Sequence, residues 1–199
     1  MKEIKHTVLS TCRFDDKDLM VKYLDVARET LVPALKSQTT NNFTWIVMCR
    51  PGDIEFIRGY LFLGFTPVHN REEYVDFVKK HNVKIQTRHD IDDWMSSEYI
   101  EMIQAIYDEH IDRWDKFLIQ AQPRKVDMRT EEETRMNKYH DKRTSMFLSL
   151  CQRKCNHHIQ EKKHGQMWQI APRVVTIPEG YTKWMIHGEN ISVKGRNRK

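Results

Sequence analysis

Asp90, Asp92 and Asp93 place three carboxylates within four residues, Asp90-Ile91-Asp92-Asp93. Negative charges held this close repel one another, so the turn is costly unless something positive joins it. A Mg²⁺ or Mn²⁺ ion is the natural partner, because hard cations take oxygen ligands and can bridge carboxylates to a diphosphate. The alternative is a solvated acidic turn that caps the helix after it. Position favours the metal: the apolar run Val83 to Thr87 ahead of the cluster reads as a strand, and in open α/β sheets ligands sit beyond the carboxyl ends of strands. His187 stands at the end of another strand-like run, before Gly188, which would let the backbone come close to a ligand. A lone histidine is as readily structural. Cys151 and Cys155, with His157, His158 and His164, are zinc-ligand types. They lie in a strongly basic stretch, however, and an exposed surface segment is expected there in place of a structural zinc.

These residues need a scaffold. His6 to Phe14 has a β-branched apolar centre and reads as a buried first strand. Asp15-Asp16-Lys17-Asp18 supplies turn and cap residues, and Leu19, Tyr23, Leu24, Ala27 and Leu31 recur at helical spacing. Pro33 bends or restarts that helix, which is expected to run on to Leu35 or Lys36. Phe43 to Cys49 is aromatic and β-branched, a strand ended by Arg50-Pro51-Gly52-Asp53. Helices are expected over Ile54 to Phe62 and over Arg71 to His81, the second opened by Asn70. Ser96 or Ser97 is expected to cap a long amphipathic helix carrying Ile100, Ile103 and Tyr107. The first half therefore reads β-α-β-α-β-α, a mostly parallel sheet with helices against its faces. After Trp114 shorter strands are expected at Phe117 to Ala121, Lys125 to Arg129, Ser145 to Leu150, Arg173 to Ile177 and Thr182 to Ile186. The charged segment Thr130 to Arg143 lies among them. One α/β domain with a mixed C-terminal half, residues 1–193, followed by a basic tail, 194–199, is the expected organisation.

Composition agrees with a folded chain: 39% hydrophobic and 31% charged residues is too apolar for wholesale disorder. The last six residues hold four of the five net positive charges, which leaves the body nearly neutral. No apolar run approaches the roughly 20 residues of a spanning helix. The N-terminus lacks a small-residue cleavage site, so a cytoplasmic location is expected. Cys12 and Cys49 sit in apolar runs and read as small buried hydrophobes, and Trp45 reads as core.

The stretch around the aspartates resembles a known family. Thr87-Arg88-His89-Asp90-Ile91-Asp92-Asp93, followed by Tyr99-Ile100, is similar to the "TRxDxDD … F/Y-I" signature of the rhamnosyltransferase family, whose fold is the glycosyltransferase A-type (GT-A). Leu31 to Gln38, with Asn42 to Val47, resembles that family's "lPSl.aQt…nFtWlv" stretch. Ser10-Thr11-Cys12-Arg13-Phe14 is similar to its first strand, with Cys12 inserted, and Trp184 to Ser192 to its "WLqvvHggNvS" block. Gln122 to Gly165 matches nothing in it. The resemblance implies a metal-dependent transferase moving a sugar from a nucleotide-sugar donor to an acceptor hydroxyl. Asp92, with Asp90 nearer the ribose or the metal, would hold Mn²⁺ or Mg²⁺, and His187 would complete the metal shell. Thr11, Arg13, Arg88 and Asn190 would face the nucleotide, the arginines as charge-assisted donors. The proton of the acceptor would go to Asp93 first or Glu189 second.

A carbohydrate acceptor is the leading expectation. A sugar placed on modified bases in DNA is the alternative, since the tail and the Lys/Arg-rich stretch Arg135 to Lys163 suit a polynucleotide while the near-neutral body does not. Two further readings remain: a metal-dependent phosphoryl-transfer enzyme or nuclease using the same aspartates, and a non-catalytic nucleic-acid-binding protein built around the tail and the five tryptophans.

Overall fold

The computed structural model describes residues 6–135 and 147–187. Its strands in chain order are β1 (His6–Cys12), β2 (Thr44–Cys49), β3 (Thr66–Val68), β4 (Ile85–Arg88), β5 (Trp94–Met95), β6 (Lys116–Ala121), β7 (Arg124–Asp127), β8 (Glu132–Arg135), β9 (Leu148–Gln152), β10 (Val174–Ile177) and β11 (Thr182–Ile186). The helices are α1 (Lys17–Glu29), α2 (Leu31–Lys36), α3 (Ile54–Leu61), α4 (Arg71–Lys80) and α5 (Tyr99–His110).

Seven strands form the main sheet in the order β10-β6-β9-β4-β1-β2-β3. β9 runs antiparallel to both of its neighbours, β4 and β6, and every other pairing in that sheet is parallel. A second sheet, β5-β11-β7-β8, is mixed. This is the α/β architecture expected, a large mostly parallel sheet with helices on both faces and a mixed C-terminal half.

Alternation along the strands sends side chains to two cores. Val8, Trp45, Val47, Cys49, Phe117 and Ile119 join α1, α2, α3 and α5 on one face. On the other face Leu9, Ile46, Met48 and Leu118 meet Tyr74 and Val78 of α4 and the segment around Ile159 and Met167. Cys12 and Cys49 are both fully buried, as their apolar settings imply. Each fully buried Leu or Ile in these layers contributes roughly 1.5–3 kcal/mol.

Local signals account for most helix ends. Asp16 accepts from the backbone N–H groups of Asp18 and Leu19 and opens α1, and Asn70 accepts from Glu73 N to open α4. Pro33 lies in the first turn of α2, where its missing N–H costs nothing. Four expectations need correction. β3 was not anticipated: Pro67 argues against a strand, but an edge position tolerates it. β5 interrupts the expected approach to α5, because Trp94 and Met95 pair with Lys183 and Thr182. The charged segment from Thr130 is partly a strand, since β8 pairs with β7 through Arg124–Glu133 ion pairing. Finally, neither Ser96 nor Ser97 caps α5 with its side chain. Gln38, beyond the end of α2, does that work instead. Its Oε1 accepts from Ile100 N, while its Nε2 donates to the carbonyls of Ala34 and Ser96.

Gln38→Ala would therefore leave one helix-start N–H without its partner and take one of two donors from each of two carbonyls, which keep Ser37 Oγ and Tyr99 N. A loss of about 1–3 kcal/mol is expected in urea denaturation; a loss below about 0.5 kcal/mol, within the range of ordinary surface changes, would mean that water replaces the amide at no cost.

Among the described residues no helix is long and apolar enough to cross a membrane.

Candidate functional site

The aspartate turn leaves the carboxyl end of β4 beside the carboxyl end of β1. His89 N donates to Leu9 O across the two strands, which extends their ladder by one step. Thr11, half-buried in β1, and Arg13, exposed just past it, share this edge of the sheet with Arg88 and Asp90. Arg88 Nε and Asp90 Oδ1 stand 3.8 Å apart, a loose pair with both side chains partly open to solvent. The topology therefore brings these four sequence-selected residues to one edge of the sheet.

After the turn the chain becomes β5 and pairs with β11. That pairing brings the C-terminal strand to the aspartates. Asp93 Oδ1 accepts from Met185 N at 3.0 Å in the buried interior. Two residues further on, His187 Nε2 lies 3.0 Å from Asp92 Oδ2, and the two side chains are only 7% and 9% exposed. These partners are 95 residues apart in the chain. Tyr23 of α1 meets the His187 ring edge-on, at 4.8 Å between centroids, and Phe14 backs Tyr23 at 4.6 Å.

Electrostatics separate the three aspartates. Asp93 is 2% exposed. Burial, then the charges of Asp92 and Asp90, push its carboxyl well above the usual carboxylate range, against the opposing hydrogen bond from Met185. Asp90 is the open one, 43% exposed. His89 points away from solvent between Tyr99 and Phe147, and burial lowers its imidazole to about 4, so it is neutral at physiological pH.

Among the described residues no group of three or more His, Cys, Asp and Glu side chains is gathered closely enough to enclose an ion. The donor set of Asp92 and His187 is nonetheless of the right chemistry for Mn²⁺ or Mg²⁺. Such ions commonly use one or two protein ligands and complete their shell with water and substrate phosphates.

Glu189, Asn190 and the tail 194–199 lie outside the described residues, as do residues 136–146. The cysteine–histidine stretch corrects an expectation. Cys151 is not a surface residue but a fully buried one in β9, and Cys155 Sγ accepts weak hydrogen bonds from Gln86 and Gln152. Trp45 is core and donates to Ser10 Oγ, whereas Trp168 is exposed. Sequence reasoning missed Tyr23 and Met185 as parts of the site. Helical spacing placed Tyr23 on a buried face, but no local signal says which late strand it meets.

No protein-family model matches the chain, and no curated protein matches it. Solved structures do resemble it. S. aureus TarS 1-349 in complex with UDP superposes with a TM-score of 0.55 at 12% identity, covering 92% of this chain and 60% of that one. The complex of TarS 1-349 with UDP-GlcNAc gives 0.54 at 11% identity, over 92% and 59%. A cytidylyltransferase from Leptospira borgpetersenii gives 0.53 at 12% identity, over 89% and 77%. The chain spans 37% of the longest of these TarS chains. At such identities the likeness shows a shared fold and no more, an α/β fold of GT-A-like type.

Proposed function

We propose that the chain is a nucleotide-sugar-dependent glycosyltransferase whose donor site lies at the Asp90–Asp93 turn. The observation that carries this reading is the buried Asp92–His187 pair at the carboxyl edge of a parallel sheet, two metal-ligand types delivered by distant parts of the chain. The structural likeness to a protein crystallised with UDP and with UDP-GlcNAc supports the donor class. The rhamnosyltransferase resemblance supports sugar transfer in particular.

Asp92 and His187 would hold Mn²⁺ or Mg²⁺, with Asp90 at the open side toward the nucleotide. A divalent ion there supplies charge stabilisation for the departing diphosphate. Arg13, Arg88 and Thr11 lie at the same edge and would donate to phosphate or base. Asp93 takes a different part from the one expected of it. A proton acceptor must reach the acceptor hydroxyl, but this carboxyl is buried and spent on Met185 N. It is a positioning residue that fixes β11, and so His187, against Asp92. Glu189 is left as the proposed base.

Asp93→Asn keeps an oxygen for Met185 N, whereas Asp93→Ala does not. Mn²⁺ affinity, read by titration calorimetry, is expected to stay within about 3-fold in the first and to fall about 10-fold to 100-fold in the second, the range for groups that orient ligands. Equal loss of turnover in both variants, with Mn²⁺ affinity intact, would return Asp93 to the role of base.

The activity itself is tested by incubating the protein with a panel of nucleotide sugars and acceptors, including sugars and hydroxymethylated DNA, with Mn²⁺ or with EDTA. Release of a nucleoside diphosphate in Mn²⁺ that stops in EDTA is the expected result. Release of pyrophosphate from a nucleoside triphosphate and a sugar phosphate would mean nucleotidyl transfer on the same fold.

A further inference from the structure

We propose that a second site, a cleft of about 460 Å³ at the opposite end of the sheet from the aspartate turn, binds the phosphate group of a nucleotide or of a polynucleotide. The cleft is lined by Lys116 at the start of β6, by Gln152 at the end of β9, and by Asp115, Arg153, Lys154 and His157. Because β6 runs parallel to β4 and β9 antiparallel to both, these residues sit at the amino edge of the parallel strands. The site is thus separate from the proposed donor site and does not rest on it.

The charge balance of the lining is positive. Arg153 Nε pairs with Asp115 at 3.4 Å, and that accounts for the one acid in the lining. Lys116 and Lys154 remain in surplus. Lys84 stands directly behind the loop and donates to Arg153 O at 2.7 Å. Lys116 Nζ lies 3.2 Å from His157 Nε2. An ammonium has only donors, so that nitrogen is placed to accept, and His157 Nδ1 lies 3.0 Å from Glu161 Oε2. Glu161 is thereby turned to the histidine, and the lysine keeps its charge for the cleft. Cations crowded into a concave wall focus a positive potential, which a phosphate relieves.

The wall is also rigid. Gln152 Oε1 accepts from the N–H groups of Asn156 and His157, while Gln152 Nε2 and Gln86 Nε2 both donate to His157 O. Both glutamines are buried. A surface loop that carries Arg153 and Lys154 is held in one shape by two interior amides, so binding costs little further ordering. The volume falls in the range of small-ligand sites.

Calorimetric titration with pyrophosphate in EDTA tests the cleft with metal-dependent binding removed. The parent and Asp92→Ala are expected to bind alike. Lys154→Glu, at an exposed position where folding is little affected, and Lys116→Gln are each expected to weaken binding about 10-fold or more. In a second arm a fluorescein-labelled DNA duplex is titrated at 50 and 200 mM salt. Duplex affinity at least 10-fold above that of pyrophosphate, and lost in Lys154→Glu, identifies a polynucleotide as the source of the phosphate. Duplex affinity no better than pyrophosphate identifies a small nucleotide. Absence of both kinds of binding at millimolar ligand, or binding unchanged in Lys154→Glu, overturns the proposal.

Discussion

Asp92→Ala is expected to abolish metal-dependent nucleotide binding and to lower transfer by about 10²-fold to 10³-fold, the usual cost of removing one group aimed at transition-state charge. Two terms add. The carboxylate that would hold the ion is gone, and His187 loses the partner 3.0 Å away that orients it. Asp92→Asn separates these terms. It keeps the shape and one hydrogen bond to His187 but lacks the charge that attracts a hard cation. If the charge matters most, Asn is as inactive as Ala; if orientation matters most, Asn recovers a large part of the activity. Kinetic constants in saturating Mn²⁺ decide between them. Activity within a few-fold of the parent in both variants would remove Asp92 from the site.

The second large effect is expected at His187. His187→Ala removes an almost fully buried imidazole that touches both Asp92 and the Tyr23 ring. A fall in Mn²⁺ affinity on the order of 10-fold to 100-fold is expected, together with a matching fall in turnover at low metal. The change also leaves a ring-sized space, so free imidazole should enter it and restore part of the activity at millimolar concentration. Rescue by imidazole with an unchanged melting temperature would place the nitrogen, not the packing, at the centre of the effect. Loss of stability without any rescue would make His187 a packing residue of the α1–β11 contact.

The elements that position these residues differ in how well the sequence announces them. Thr44–Cys49 was legible because aromatic and β-branched residues run to a Pro-Gly stop, and α4 because Asn70 and its apolar spacing agree. The carboxyl edge of β4 was legible from the alternating β-branched run Val83 to Thr87, which is why the position of Asp90 and Asp92 just past a strand end could be read before any fold was seen. β5 was not, since two residues carry no period and their pairing is decided by Thr182 and Lys183 far downstream. α5 shows the same limit in reverse. The serines before it have the composition of a cap, yet Gln38, beyond the end of α2, supplies the hydrogen bond. Asp93 shows the limit once more. Its neighbours in sequence suggested shared chemistry, and only the approach of Met185 N shows that its carboxyl is already engaged. Local composition located the acidic turn; non-local pairing decided which of its carboxylates faces the opening.

The most direct test is a thermal-shift titration of the parent protein and of Asp92→Ala with nucleoside diphosphates and nucleotide sugars, each with and without Mn²⁺. A ligand bound only by the folded state at 100 times its dissociation constant stabilises by about 2.7 kcal/mol, which moves the melting temperature by several degrees. The expected result is a shift that needs one nucleotide together with Mn²⁺ and is absent in Asp92→Ala. A nucleotide shift of equal size in the variant, or no shift with any nucleotide in Mn²⁺, would contradict a metal-dependent donor site at the Asp90–Asp93 turn.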